Sequence, residues 1–482
     1  MEFSPFASAF DHPKEECGVV GVYTPGGEAS VQAYFGLFAL QHRGQESAGI
    51  ASSDGVNIKV HTQMGLVTQV FREQDFYPLT GERAIGHTRY STTGSSESCN
   101  AQPLLVDGYH GTVALANNGN IINALQLKKQ LQRDWGCTFT ATTDTEVIAY
   151  LLANASGQTW EDRVFHCMRQ LEGAYSMVAL TEDTLVAARD PLGIRPLCLG
   201  KMGEGWAVAS ESCALDHLGA EYLREVEPGE VIIIDGNGLR SARGSRDTDR
   251  RALCVFELIY FARPDSNLDG RLVHSARQEM GAQLAREHPV DADMVIGIPD
   301  SSTAAAVGDA RESGIPFSEG LVKNRYVGRT FIEPDQRSRD LGVRQKFNPL
   351  TDVIAGQRLV VVDDSIVRGT TTPHVVRLLS RAGAKEVHMR VCAPPIMHPC
   401  YMGVDMASRQ ELIAANKTIE EIRSMTGADS LGYLSVKGLM KVVGKDGGGF
   451  CNACFTGDYP VPVQLELTKL ILEESEASPV GS

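Results

Sequence analysis

The stretch LVVVDDSIVRGTTT, Leu359 to Thr372, sets four apolar residues ahead of two aspartates, then a glycine and three threonines. A β-branched run of that length, too short for a helix, reads as a buried strand. Gly369 and the threonines then open a helix, so carboxylates and hydroxyls converge at the C-terminal end of a strand, where α/β sheets bind ligands. Backbone amides around Gly369 and the hydroxyls of Thr370 to Thr372 suit a phosphate at a helix N-terminus. Asp363 and Asp364 suit sugar hydroxyls, held directly or through Mg²⁺. Paired aspartates after a parallel strand also occur in phosphorylation-receiver folds and as plain helix caps.

Working outward, DMVIGIP is followed by SSTAAAVGDARES, and the Leu359 strand by TPHVVRLLSRAGA and then EVHMRVCAPP. Strand and helix patterns in alternation predict a parallel sheet with crossover helices. IPDSS, Ile298 to Ser302, is a second strand end with a turn, suited to a pyrophosphate or metal contact or, as plain structure, to an N-cap. Lys323 to Pro349 concentrates Lys323, Arg325, Arg329, Arg337, Arg339, Arg344 and Lys346 in a stretch with little core pattern. It reads as a solvated loop or as a cationic lid over a phosphorylated ligand.

The string Asp-Asp-Ser-Ile-Val-Arg-Gly-Thr-Thr resembles the diphosphoribosyl-pyrophosphate motif of type I phosphoribosyltransferases. That resemblance implies a ribose 1-pyrophosphate 5-phosphate ligand (phosphoribosyl pyrophosphate) on Asp363, Asp364, Ser365, Arg368, Gly369, Thr370 and Thr371, with Lys323, Arg325 and Lys346 from the cationic stretch. One Mg²⁺ per subunit is expected on Ser301, Asp363 and Asp364.

The first half of the chain has a different pattern. Short alternating or β-branched runs (GVVGVY, GIASS, TVALANNGNI, YSMVAL, TLVAARD, WAVASES, EVIIID) are interrupted by helical spacing in EASVQAYFGLFALQHRG and in EVIAYLLANA after Thr145. Sheets flanked by helices are the expectation. The polar, glycine-containing segment Asp235 to Arg250 is aperiodic and is the predicted crossing between domains.

Cys17 stands at the start of the first strand, behind KEE. Residues 1–16, MEFSPFASAFDHPKEE, have neither a basic n-region nor a continuous apolar core, so they read as a frayed terminus or a propeptide rather than an export signal. An isolated cysteine before GVVG is ordinarily a buried thiol. Were it residue one of a mature chain, its free α-amine, titrating near ~8, would lie within reach of the thiol as a general base.

QHRGQESAGIA, GHTRYSTTG, ANNGNI, TTDTE and RDPLGIRPL follow in that order, and together they resemble the glutamine amidotransferase domain of the N-terminal-nucleophile class. The resemblance implies Cys17 as nucleophile, Asn118 and Gly119 as oxyanion hole, Arg89 for the glutamine carboxylate and Asp144 for its α-amino group. On their own, Arg89 reads as surface charge and Asp144 as a cap of the helix it precedes.

The chain has 482 residues, 43% hydrophobic and 22% charged, with a formal charge of −15. No stretch approaches the roughly 20 apolar residues that a membrane span requires, and the negative charge argues against broad nucleic-acid binding. Eleven cysteines at irregular spacing suggest a reducing compartment, hence a cytoplasmic protein, not a disulfide framework. CNAC places Cys451 and Cys454 at metal-ligand spacing, and on spacing alone they suit zinc as well as iron.

The two halves together resemble the glutamine phosphoribosylpyrophosphate amidotransferases, in their propeptide-bearing, iron–sulfur branch. This implies one [4Fe–4S] cluster per subunit on Cys254, Cys400, Cys451 and Cys454, with Cys392 a lower-ranked rival of Cys400. Cys99, Cys137, Cys167, Cys198 and Cys213 are left as packed or free thiols. The expected architecture is a propeptide, residues 1–16; an α+β glutaminase domain of αββα sandwich type, 17–250; an α/β type I phosphoribosyltransferase domain with its cluster-binding segment, 251–465; and a tail, 466–482.

The implied reaction takes glutamine, phosphoribosyl pyrophosphate and water to phosphoribosylamine, glutamate and pyrophosphate, the first committed step of purine synthesis. A Cys17 thioester and channelled ammonia carry it. Purine nucleotides as feedback inhibitors and a homotetramer are implied as well. A sugar-phosphate aminating enzyme would share the glutaminase half and lack the Asp363–Thr372 string, and a non-catalytic regulator that binds phosphoribosyl pyrophosphate would need neither Cys17 nor Asn118.

Overall fold

The computed structural model describes residues 16–90, 94–244, 250–324, 347–406, 408–444, 449–463 and 472. The first half holds β1 (Gly18–Tyr23), β2 (Ser47–Ser53), β3 (Ile58–Met64), β4 (Arg83–Arg89), β5 (Leu104–Gly108), β6 (Gly111–Ile121), β7 (Gly173–Leu180), β8 (Leu185–Arg189), β9 (Cys198–Met202), β10 (Gly205–Ala209), β11 (Glu221–Glu225), β12 (Glu230–Asp235) and β13 (Gly238–Arg243). They form a seven-stranded sheet, β11-β9-β10-β1-β4-β2-β3, and a six-stranded sheet, β13-β12-β8-β7-β6-β5.

Side-chain alternation stacks these sheets. Val19 of β1, Ile85 of β4, Val178 of β7 and Ile232 and Ile234 of β12 share the core between the sheets. Val20 and Val22 point the other way, to the helix Ala29–Ala39 and its Leu37. On the far side Val231 and Ile233 meet Leu127, Ile148, Leu152 and Val164 of three helices, Ala124–Trp135, Asp144–Ala153 and Trp160–Met168. The result is the αββα sandwich. Each fully buried aliphatic contributes about 1.5–3 kcal/mol, and a one-residue slip would turn all of them to the wrong layer.

The segment Asp235–Arg250 is more than a crossing. Asp235 accepts the Asn237 amide at 2.8 Å, and the chain turns back as β13, paired residue for residue with β12 from Glu230↔Arg243 to Asp235↔Gly238. An edge strand shows one face to solvent and needs few apolar residues, which is why this one carries no strong pattern.

In the second half four strands lie parallel in the order Met294–Gly297, Arg358–Asp363, Glu386–Val391 and Ser430–Tyr433. Leu359 and Val361 pack on one face and Val360 and Val362 on the other, so the run is apolar without alternation. Ala252–Cys254 and Gly449–Cys451 add a separate parallel pair in which Cys254 faces Cys451. The amide of Ala252 donates to Leu192 O at 2.8 Å and that of Cys254 to Ile194 O at 3.0 Å, tying the two halves together.

Candidate active sites

Cys17 precedes β1, and β1 pairs with β4, so the thiol comes to the residue just beyond β4: its Sγ donates to Tyr90 O at 3.2 Å. Burial pushes the thiol up to about 11, and Arg89 and Asp144 both lie close enough to act on it electrostatically. The structure therefore brings Cys17, Arg89 and Asp144 together. Glu46, which sequence reasoning did not single out, is there too, 3.7 Å from Arg89. Asp144 is the first residue of its helix and accepts the Ile121 amide at 2.8 Å; burial raises its carboxyl to about 6.

The second sheet supplies the amide. His87 of β4 approaches Asn117 O of β6 at 3.1 Å across the sandwich, which fixes the height of Asn118 and Gly119 against the Cys17 sheet. Asn118 is fully buried, and neither of its side-chain polar atoms has a hydrogen-bond partner among the described residues. Gly119 has φ +153, and a Cβ there would lie 2.0 Å from Ala174 O of β7, so no other residue fits.

Glu16, the last residue of the expected propeptide, is wholly buried. Arg43 holds it at 3.0 Å, Arg195 holds its other oxygen, and Arg43 also pairs with Glu257 at 2.7 Å and Glu211 at 2.5 Å. Burial, with Glu257 alongside, raises the Glu16 carboxyl well above the usual range. The charge that stays in this dry interior is that of Glu211 and Glu257, which the Arg43 guanidinium pairs with directly. Arg43 and Arg195 sit inside QHRGQE and RDPLGIRPL, yet nothing in their spacing announces a shared partner.

The candidate phosphate loop is ordered by its own carboxylates. Ser301 Oγ donates to Asp364 at 2.5 Å, Ser365 Oγ to the other Asp364 oxygen at 2.8 Å, and Ser302 Oγ to Asp363 at 3.4 Å. Two strand ends thus meet as an all-oxygen set, the donor chemistry that Mg²⁺ takes. Gly369 has φ +70, and a Cβ there would lie 2.3 Å from Ile413 Cδ1. Thr370 Oγ1 is buried without a partner among the described residues, and Thr371 precedes the helix Thr372–Arg381. Arg368 lies 3.4 Å from Glu411, and Lys323 2.8 Å from Asp300. Arg325 and Lys346, with most of the cationic stretch, lie outside the described residues.

Cys254, Cys400, Cys451 and Cys454 line one cavity, along with Ile194, Met402 and Tyr459. Cys392 does not line it; its amide donates to Asp363 O at 2.9 Å beneath the phosphate loop. A tetrahedral zinc ion would need thiolates about 3.8 Å apart. Among the described residues no three ligand-type side chains gather to hold one ion. Four thiols around a shared cavity are a donor set that suits zinc or an iron–sulfur cluster. Burial raises all four, Cys451 to about 11, so loading must displace protons.

Residues 87–217 match the model of a glutamine amidotransferase domain. Over 475 residues, 97% of this chain and 96% of the relative, the sequence is 50% identical to the amidophosphoribosyltransferase of Synechocystis. It is 51% identical over 457 residues to that of Archaeoglobus fulgidus, covering 93% of this chain and 99% of the relative.

The chain belongs to the amidophosphoribosyltransferase family.

Its fold agrees. The glutamine phosphoribosylpyrophosphate amidotransferase of Bacillus subtilis, solved in complex with ADP and GMP, superposes with a TM-score of 0.88 at 47% identity, covering 94% of this chain and 99% of that one. A structure described as the allosteric regulatory enzyme of purine biosynthesis gives 0.89 at 47% identity, over 96% of this chain and 100% of that one. An amidophosphoribosyltransferase thus joins a glutaminase sandwich to a parallel-sheet phosphoribosyltransferase, as the motifs implied.

Proposed function

We propose that this protein releases ammonia from glutamine at Cys17 and uses it at the phosphate loop to displace pyrophosphate from phosphoribosyl pyrophosphate, giving phosphoribosylamine in the first committed step of purine synthesis. The observation that carries the reading is the buried amide of Asn118, which has no partner among the described residues. A buried polar group left unpaired costs about 1–3 kcal/mol, a cost expected where substrate supplies the missing partner.

The Cys17 thiolate attacks the glutamine amide carbon, and the oxyanion is received by Asn118 Nδ2 and the Gly119 amide. Collapse of the intermediate breaks the C–N bond, leaves a glutamyl thioester and releases ammonia. Water then hydrolyses the thioester to glutamate. Arg89 and Asp144 read the carboxylate and α-ammonium of the substrate. A thiol raised to about 11 needs a base. As long as residue 16 is attached, the Cys17 nitrogen is an amide with no basicity, so removal of residues 1–16 supplies the α-amine.

At the second site, Thr370, Thr371 and the Gly369 turn hold the 5-phosphate, and Asp363 and Asp364 hold the ribose hydroxyls. The ammonia nitrogen bonds to C1 as the C1–O bond to pyrophosphate breaks. Mg²⁺ on Ser301, Asp363 and Asp364 would neutralise the leaving pyrophosphate. A [4Fe–4S] cluster on Cys254, Cys400, Cys451 and Cys454 would cross-link the C-terminal strands, since the reaction moves no electrons. Lys323, Arg325, Lys346 and Arg368 add positive charge for the ligand. We extend the reading to a cytoplasmic homotetramer inhibited by purine nucleotides, in keeping with the nucleotides bound to the B. subtilis relative.

Purified protein should release glutamate and pyrophosphate in equal amounts when given glutamine, phosphoribosyl pyrophosphate and Mg²⁺. Glutamate without pyrophosphate would leave a glutaminase and reject the transferase reading.

A further inference from the structure

The end of β6 that carries Asn118 and Gly119 is backed by the other half of the chain. Asn120 Nδ2 donates to Tyr401 O at 2.9 Å. Gly403 sits so close that a Cβ on it would lie 2.8 Å from the carbonyl carbon of Gly119 and 2.9 Å from its Cα. Arg195 Nε donates to Met402 O at 2.8 Å, closing the same contact from the glutaminase side. Gly403 also has φ +100, so both its conformation and its clearance demand glycine. On its other side Gly119 already abuts Ala174 O. The residue that presents the backbone donor is therefore held between β7 and a segment some 280 residues away in sequence, Asn120 and Tyr401 being 281 apart.

We infer that Cys400–Gly403 forms the rear wall of the oxyanion hole, with Gly403 and Asn120 as positioning residues that set where Asn118 and Gly119 meet the tetrahedral intermediate. Donors must be placed within about 0.5 Å to be effective, and contacts on both sides of Gly119 restrict where its amide can sit. The inference deepens the proposed glutaminase reading and rests on Asn118 and Gly119 being the oxyanion hole. It makes glutamine turnover depend on a segment that takes no part in holding glutamine or the ribose ligand.

The test compares Gly403→Ala, Asn120→Ala and Asn118→Ala in the full-length enzyme. Glutamate release gives kcat and KM for glutamine; phosphoribosylamine formation from added ammonia monitors the second site; alkylation by iodoacetamide monitors Cys17 without calling on an oxyanion hole. Gly403→Ala and Asn120→Ala should lower kcat for glutamine at least about tenfold, the lower range for a disturbed oxyanion donor, with KM and the ammonia rate each within about twofold and alkylation unchanged. A loss confined to kcat is the mark of an interaction made in the transition state, which mere loosening of the fold would not produce. If Asn118→Ala lowers kcat while Gly403→Ala and Asn120→Ala leave it intact, the inference fails and the glutaminase reading stands. If Asn118→Ala also leaves it intact, both fail. Glutamine and ammonia rates falling together would make the segment a general brace and overturn the inference. Should Gly403→Ala not fold, Asn120→Ala, which introduces no strain, decides alone.

Discussion

Asp144→Asn separates what a buried carboxylate does for substrate from what it costs the fold. Burial raises the Asp144 carboxyl from its usual 3.8 to about 6. That difference corresponds to about 3 kcal/mol between the charged and neutral forms. Between pH 3.8 and about 6 the folded protein binds the proton that the unfolded chain has released. Stability therefore falls as pH rises through that window and stays lower above it. Asparagine keeps an acceptor for the Ile121 amide and never ionises, so the variant should unfold at higher temperature than wild type at pH 7.5, by up to ~3 kcal/mol in stability, and show little advantage at pH 4. Glutamine use should move the opposite way. Loss of a charge-assisted bond to an α-ammonium removes about 1.5–3 kcal/mol, or roughly a 10- to 150-fold rise in KM, while ammonia-dependent synthesis is unchanged. In the wild type, kcat/KM for glutamine should decline as pH drops below about 6, where Asp144 takes up its proton. Thermal scans at the two pH values and initial-rate kinetics with each nitrogen donor decide it. An equal gain in melting temperature at both pH values, or parallel losses with glutamine and ammonia, would refute the reasoning.

Cys17→Ala should abolish glutamine use and retain synthesis from ammonia, and intact mass of active wild type should correspond to a chain starting at Cys17; active protein that keeps Met1 would remove the proposed base. Asp364→Ala takes the partner from Ser301 and Ser365 and should reduce phosphoribosylamine formation at least about 100-fold, equivalent to ~2.7 kcal/mol, with either donor, leaving basal glutamate release in place. Cys451→Ser should lose iron and acid-labile sulfide together in anaerobically purified protein; stoichiometric zinc without sulfide in the wild type would reject the cluster.

Much of this protein is legible in its sequence because local chemistry is enough to define it. Leu359–Thr372 reads as a strand, a carboxylate pair and a glycine turn from its own residues, and the structure covers both faces of its apolar run and gives Gly369 a positive φ. The alternation of Val19 against Val20 and Ile232 against Ile233 likewise specifies a two-faced strand before any neighbour is known. Motif order singled out Cys17, Arg89, Asp144, Asn118 and Gly119 as candidates, although only folding shows Arg89 and Asp144 acting on one thiol. What tertiary structure alone decided are the contacts between residues far apart in the chain. Glu16 looks like one more charge in KEE until Arg43 and Arg195 close on it. β13 looks like linker until β12 supplies its ladder. Gly403 looks like any turn glycine until Gly119 lies against it. Hydrophobic period and turn chemistry are written into neighbouring residues, whereas ion pairing and close backbone approach depend on which surfaces meet, and no local pattern records that.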